Sequence, residues 1–272
     1  MSPGDDEPTS TDRGVLDRPA PPPDQVLRLG DAEHQVIDLY LPAGPAAPAW
    51  VVLVHGGFWR AEWDRTHLRP LATALRARGY AVALVEYART GMAGGGWPGT
   101  FDDVAAALAA VRDHAATDRP APVVLVGHSA GGHLAAWVLH QPAAAPARGR
   151  PDVVGAVSLG GCLDLAMVAD LGLDDGAAVD LLGGSPAEVS GRYDAADPAR
   201  LGRTPYPLVV VHGTADEKVP PAVARSWWRS AGTPGRDRLV LLDGVGHFPL
   251  IDPDAPAFAA LTSQIGWLLD AR

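Results

Sequence analysis

Val123-Val-Leu-Val-Gly-His-Ser129-Ala-Gly-Gly-His133 is the stretch that decides how this chain folds. Val123–Val126 is short, apolar and β-branched, the composition of a strand buried on both faces. Gly131–His140 is rich in Ala and Leu and favours helix. Between them lies Gly127-His128-Ser129-Ala130-Gly131, a G-x-S-x-G pentapeptide. Alone, such a pentapeptide is only a glycine–serine turn. Between a buried strand and a helix it reads as a nucleophile elbow, a sharp turn that lifts the serine Oγ above the sheet.

On either side the same alternation continues. Trp50–Val54, Tyr80–Val85, Val153–Leu159, Leu208–Val211 and Leu239–Leu242 are apolar runs of strand length. Helical spacing separates them, at Leu68, Leu71, Ala72 and Leu75, at Val104, Leu108 and Val111, and over Pro221–Ala231. Phe258, Leu261, Ile265 and Leu268 predict a closing helix. Alternating strands and helices imply a parallel sheet covered on both faces. Gln25–Leu29 and His34–Leu41 alternate polar and apolar residues around Gly30-Asp31, which predicts an antiparallel hairpin at one edge. The expected architecture is therefore α/β, with a mostly parallel eight-stranded sheet.

Residues 1–23 are polar and end Pro19-Ala-Pro-Pro-Pro23, which predicts a disordered arm before one domain over 24–272. Thr100 and Asp103 are expected as an N-cap pair for the helix carrying Val104. Residues 162–206 form too long a connection between two strands to be a plain loop. They predict a small helical insertion near the active-site face, with a short helix over Gly176–Leu182.

A serine hydroxyl needs a base within hydrogen-bond reach, and the base needs an orienting acid. In an elbow enzyme the order is serine, acid, histidine, each past a strand end. Asp216 follows Val209-Val-Val-His-Gly-Thr-Ala, and His247 follows Leu239–Leu242 through Gly244-Val-Gly246. Ser129, Asp216 and His247 are the expected catalytic residues. Glu217 is the main rival acid. Asp164 and Asp170 come one strand early, Asp243 is too close to His247 in sequence, and Asp252 lies beyond it. The oxyanion hole is expected from the Ala130 amide and from Gly57 or Phe58 in His55-Gly-Gly-Phe-Trp59. His55 is expected to brace that loop, and His133 to pack beneath the serine. Trp59, Trp97, His128 and Phe248 are expected to line the substrate pocket, within a wider set of loop aromatics that includes Trp63 and Tyr87.

Composition narrows the field. The 272 residues are 47% hydrophobic and 20% charged, with a formal net charge of −10. That charge argues against nucleic acid and anionic membranes as partners. The single cysteine, Cys162, rules out a disulfide within the chain and is expected as a buried thiol. No run has the length of a membrane span, and the acidic N-terminus lacks the apolar region of a signal peptide. A cytoplasmic location is expected. The sequence has no H-E-x-x-H, no Cys/His cluster and no phosphate loop, so no metal or cofactor is expected.

His55-Gly-Gly-Phe-Trp59, Gly127-His-Ser-Ala-Gly-Gly-His133, His212-Gly-Thr-Ala-Asp216 and Gly246-His-Phe248 together resemble the α/β-hydrolase superfamily. Within it they resemble the esterase/lipase branch of kynurenine formamidase-like enzymes and small carboxylesterases. The resemblance spans about residues 25–270. It implies Ser129 as nucleophile, Asp216 as acid and His247 as base. It implies hydrolysis of a small carboxylic ester through an acyl-enzyme, with an aryl formamide such as N-formylkynurenine as the alternative substrate. The prolyl-oligopeptidase type of peptidase is also similar, but no propeller precedes the domain. A non-catalytic ligand-binding module is the rival from another class.

Overall fold

The structure is a computed structural model that describes residues 13–44 and 47–271. Its eight strands form one sheet in the order β1-β2-β4-β3-β5-β6-β7-β8. They are β1 (Gln25–Arg28), β2 (Val36–Tyr40), β3 (Trp50–Val54), β4 (Ala81–Val85), β5 (Val123–His128), β6 (Val153–Leu159), β7 (Leu208–Gly213) and β8 (Arg238–Leu242). β1 and β2 form the expected edge hairpin, and β2 runs antiparallel to β4. Every pairing from β4 through β3 to β8 is parallel. This is the mixed, mostly parallel α/β sheet that the sequence predicts.

Alternation along each strand divides the core. Trp50, Val52 and Val54 join one cluster with α2 (Gly99–Thr117), α3 (Ala130–Val138) and α8 (Pro221–Ser230). Val51 and Leu53 face the other cluster, with α1 (Arg69–Ala77) and α9 (Ala257–Asp270). Successive strand residues point to opposite faces, so a continuous apolar run feeds both cores. All parallel strands run the same way, and their C-terminal ends meet at one edge, where a ligand crevice forms in such sheets.

Residues 162–206 fold as four short helices, α4 (Leu165–Asp170), α5 (Leu173–Leu182), α6 (Ser190–Ala196) and α7 (Pro198–Leu201). Asp174, Asp175 and Gly176 have left-handed backbone, so the regular turns of α5 begin at Ala177, close to the predicted start. The Ala195 and Ala196 carbonyls accept hydrogen bonds from Trp137 Nε1 and His133 Nε2, which ties the insertion to α3.

One expectation needs correction. Thr100 and Asp103 are not an N-cap pair, because α2 begins earlier, after Pro98. Thr100 Oγ1 instead donates to the Ala88 carbonyl and accepts from the Gly96 amide, while Asp103 accepts from the Ala88 amide. Both side chains clasp the preceding loop. Of the N-terminal arm, residues 1–12 lie outside the described residues, and within 13–23 two side chains meet the domain. Val15 is 1% exposed and joins the core beside α1 and α9. Arg18 makes a two-pronged ion pair with Asp252 at 2.7 and 2.9 Å. The composition of the arm describes only what it can bury within itself. Val15 and Arg18 dock instead on a core that the domain has already built.

Candidate active site

Ser129 sits at the β5–α3 junction with φ 55° and ψ −120°. For a residue with a side chain this is strained backbone, as an elbow requires. The close approach explains the flanking glycines. A Cβ on Gly131 would lie 2.1 Å from the Val54 carbonyl oxygen, which no side chain can occupy. The Ser129 amide donates to the Leu159 carbonyl at 2.8 Å, pinning the turn to β6. The Cys162 amide donates to the Ser129 carbonyl, and burial pushes the Cys162 thiol pKa up, so it stays neutral.

His247 follows β8, and its Nδ1 lies 2.7 Å from Asp216 Oδ2. A carboxylate can only accept, so Nδ1 carries the proton and Nε2 is left with its lone pair. Asp216 is 4% exposed, and its Oδ1 accepts from the Lys218 and Val219 amides at 3.0 and 2.8 Å. The loop after β7 thereby fixes the acid before the histidine meets it. Glu217 points to solvent. Three of the other acids are engaged elsewhere, Asp164 as the cap of α4, Asp243 with Thr214 and Asp252 with Arg18.

Ser129 and His247 share the wall of a cavity of about 140 Å³, with Gly57, Phe58, Trp63, His67, His128 and Phe248 among its other lining residues. Among the described residues no hydrogen bond joins the two side chains. Contacts between a nucleophile and its base are often long until substrate draws them together. Gly57 has φ 105° and Phe58 has φ 47°, a left-handed loop that places both residues on the cavity wall. Ala130 heads α3, where first-turn amides have no partner within the helix.

That loop is braced from below. His55 Nε2 lies 2.7 Å from Glu86 Oε1, and both side chains are buried. Glu86 also accepts from the Arg65 and Tyr87 amides. Burial works against its charge, but His55, the Arg65 amide and Arg89 outweigh it and hold the carboxyl down at about 2. Tyr87 stacks on the His55 ring at 4.3 Å and donates to its carbonyl. Glu86 is a buried partner of this loop that the sequence does not single out. Its only signal is a lone acid directly after the buried run Ala81–Val85.

The pocket expectation divides. His128 and Phe248 line the cavity, while Trp59 and Trp97 do not. Trp59 is fully buried against the His133 ring, and Trp97 packs edge-on against Phe101. Trp63, Arg13 and Leu16 take their places on the wall. His128 lies against His247 with ring centroids 4.4 Å apart, and its Nε2 sits 3.2 Å from the His247 carbonyl. Burial drives the His128 pKa well below its ordinary value, so the ring is neutral. Among the described residues no group of three or more His, Cys, Asp or Glu side chains is arranged to hold a metal ion. Nor is any helix there long and apolar enough to cross a membrane.

With this geometry in hand, the BD-FAE family model matches residues 37–228, well over half of the chain. The chain belongs to the BD-FAE family. This places it in the esterase branch of the α/β-hydrolase superfamily. Solved structures share the BD-FAE chain's fold. A truncated carbohydrate esterase from gut microbiota superposes with a TM-score of 0.75 at 20% identity, covering 92% of this chain and 100% of its own. Esterase B from Lactobacillus rhamnosis gives 0.75 at 20% identity, over 96% and 90%. The thermophilic esterase Est2 from Thermogutta terrifontis gives 0.65 at 24% identity, over 87% of each chain.

Proposed function

We propose that this protein is a serine hydrolase that cleaves small carboxylic esters through an acyl-enzyme. One arrangement carries the reading: Ser129 strained at its elbow on the same small cavity as His247, whose Nδ1–H is committed to the buried Asp216. His247 Nε2 takes the Ser129 proton as Oγ attacks the ester carbonyl carbon. The carbonyl oxygen becomes an oxyanion, held by the Ala130 amide and the Gly57 or Phe58 amide. Collapse expels the alkoxide, which leaves with the proton from His247. Water then repeats the sequence on the acyl-serine and releases the acid. Asp216 keeps the imidazole in the productive tautomer and stabilises its cation. Family membership and the shared fold of esterases support ester chemistry.

The cavity volume narrows the acyl group. About 140 Å³ is well below the range of roughly 300–1,000 Å³ typical of pockets for drug-sized ligands. Acetyl to butyryl groups fit this volume better than long chains. A formyl group fits as well, which keeps aryl formamide hydrolysis as the second reading. A 4-nitrophenyl ester series from C2 to C12, run beside N-formylkynurenine, tests both. Turnover is expected to peak at C2–C4 and to vanish in Ser129→Ala, together with fluorophosphonate labelling. Labelling that persists in Ser129→Ala refutes the nucleophile assignment. Turnover of the formamide alone moves the reaction to the second reading.

A further inference from the structure

We propose that Arg13 and Lys218 form an anion subsite at the rim of the Ser129 cavity, which selects substrates bearing a carboxylate. The inference rests on the serine-esterase reading for its substrate, though not for its geometry. Both cations line the cavity that Ser129 and His247 share. Arg13 lies over the faces of two rings in the same wall, with its guanidinium carbon 5.4 Å from the Phe248 centroid and 5.9 Å from that of Trp63. Ring stacking orients a planar guanidinium while leaving its N–H edge free to grip a carboxylate.

The charges nearby favour that use. Among the described residues neither Arg13 nor Lys218 forms an ion pair with an acid. The one acid on the cavity wall is Asp174, and its carboxylate is engaged by Arg60 Nε at 3.2 Å. Arg60 also pairs with Asp180. Glu62, Asp175 and Asp180 face a separate groove beyond Trp63, which keeps an anion at the Arg13 end. Glu217 adjoins Lys218 but does not line the cavity. The chain as a whole carries a formal charge of −10. Two cations on the cavity wall, without an acid partner among the described residues, therefore run against the overall field, and they attract an anion only locally.

The arm is built to hold Arg13 there. Val15 is sunk in the core, Leu16 lines the cavity and Arg18 is clamped by Asp252. Arg13 is thus anchored through its neighbours, while among the described residues its own side chain meets the two rings and the cavity.

Two matched pairs test the subsite. In 4-acetoxybenzoate against 4-acetoxybenzamide the charge is on the leaving group; in 4-nitrophenyl hemisuccinate against 4-nitrophenyl butyrate it is on the acyl group. Arg13→Gln is expected to lose about fivefold in kcat/KM on the anionic member of at least one pair, mostly through KM, the size of an exposed ion pair. It should change the neutral members less than twofold, and Arg13→Lys should keep most of the preference. Equal losses on both members, or none, overturn the proposal. Calorimetric titration of Ser129→Ala protein with benzoate separates the subsite from the chemistry. Binding weakened by added Arg13→Gln sustains the subsite even if neither ester is turned over. Binding that is absent, or indifferent to Arg13→Gln, refutes it.

Discussion

Replacing Asp216 with asparagine changes one atom and should stop the reaction. The Lys218 and Val219 amides both donate to Asp216 Oδ1. In Asp216→Asn they hold the amide oxygen in that place, because an NH₂ group cannot accept from them. The new NH₂ then faces His247 Nδ1 at the site of the present 2.7 Å contact. It can only donate, so Nδ1 must accept, and the ring proton moves to Nε2. The nitrogen facing Ser129 then has no lone pair to take the serine proton. Loss of the base and of the imidazolium's counter-charge is worth about 10³–10⁴ in kcat, or roughly 4–5.5 kcal/mol of barrier. The assay is kcat and KM on 4-nitrophenyl acetate at pH 7–8, with circular dichroism as the check on folding. Glu217→Gln is the control, since that side chain is exposed, and should remain within about twofold. A folded Asp216→Asn enzyme that keeps more than about a tenth of wild-type kcat refutes the tautomer argument. A Glu217→Gln enzyme that loses as much as Asp216→Asn transfers the role to Glu217.

Three further outcomes follow from the same geometry. Ser129→Gly should abolish turnover yet raise the melting temperature by about 2–4 °C, because glycine relieves a positive φ worth about 1 kcal/mol, whereas Ser129→Ala keeps the strain; a lower melting temperature for the glycine variant refutes the strained elbow. Trp59→Ala should cost about 3–5 kcal/mol of stability in urea titrations, since the side chain is fully buried, while Trp63→Ala should chiefly raise KM. The reverse pattern would restore Trp59 to the pocket. Buried His67 and His133 have pKa values lowered to about 4 by desolvation. The unfolded chain then binds more protons below its ordinary histidine pKa, so stability present above pH 6.5 is lost as pH falls toward 4. Each accounts for about 3 kcal/mol at most. Asp197, raised to about 6 by burial, acts in the opposite direction over part of that window, but buried His128 and His212, also lowered, add to the histidine loss and leave a net fall in stability. A urea midpoint that is flat from pH 7 to 4.5 contradicts this balance.

Much of the site is legible in the chain because strand ends are legible. Ser129, Asp216 and His247 each follow a short apolar run, and a parallel sheet sends all such ends to one edge. Once the runs are recognised, residues 31 positions apart, such as Asp216 and His247, fall into contact range without further information. The bracing of the His55 loop is less visible. Glu86 is a single acid after β4, and only the parallel pairing of β3 with β4 sets it beneath His55.

The pocket is where local reading fails. Phe58 and Trp59 are adjacent aromatics with similar φ, yet one faces the cavity and the other the core. Trp97 has the composition of a site residue but finds Phe101 first. The N-terminal arm makes the same point from the other side. Nothing within residues 13–23 predicts where Val15 and Arg18 dock, because the surfaces that receive them lie in distant segments, at α1, α9 and Asp252. The amino-acid sequence by itself determined the alternating elements, their parallel pairing and the order of serine, acid and histidine, all of which depend on local periodicity and turn chemistry. Only the tertiary structure decided which side chains wall the cavity, since that depends on competition among distant residues for the same space.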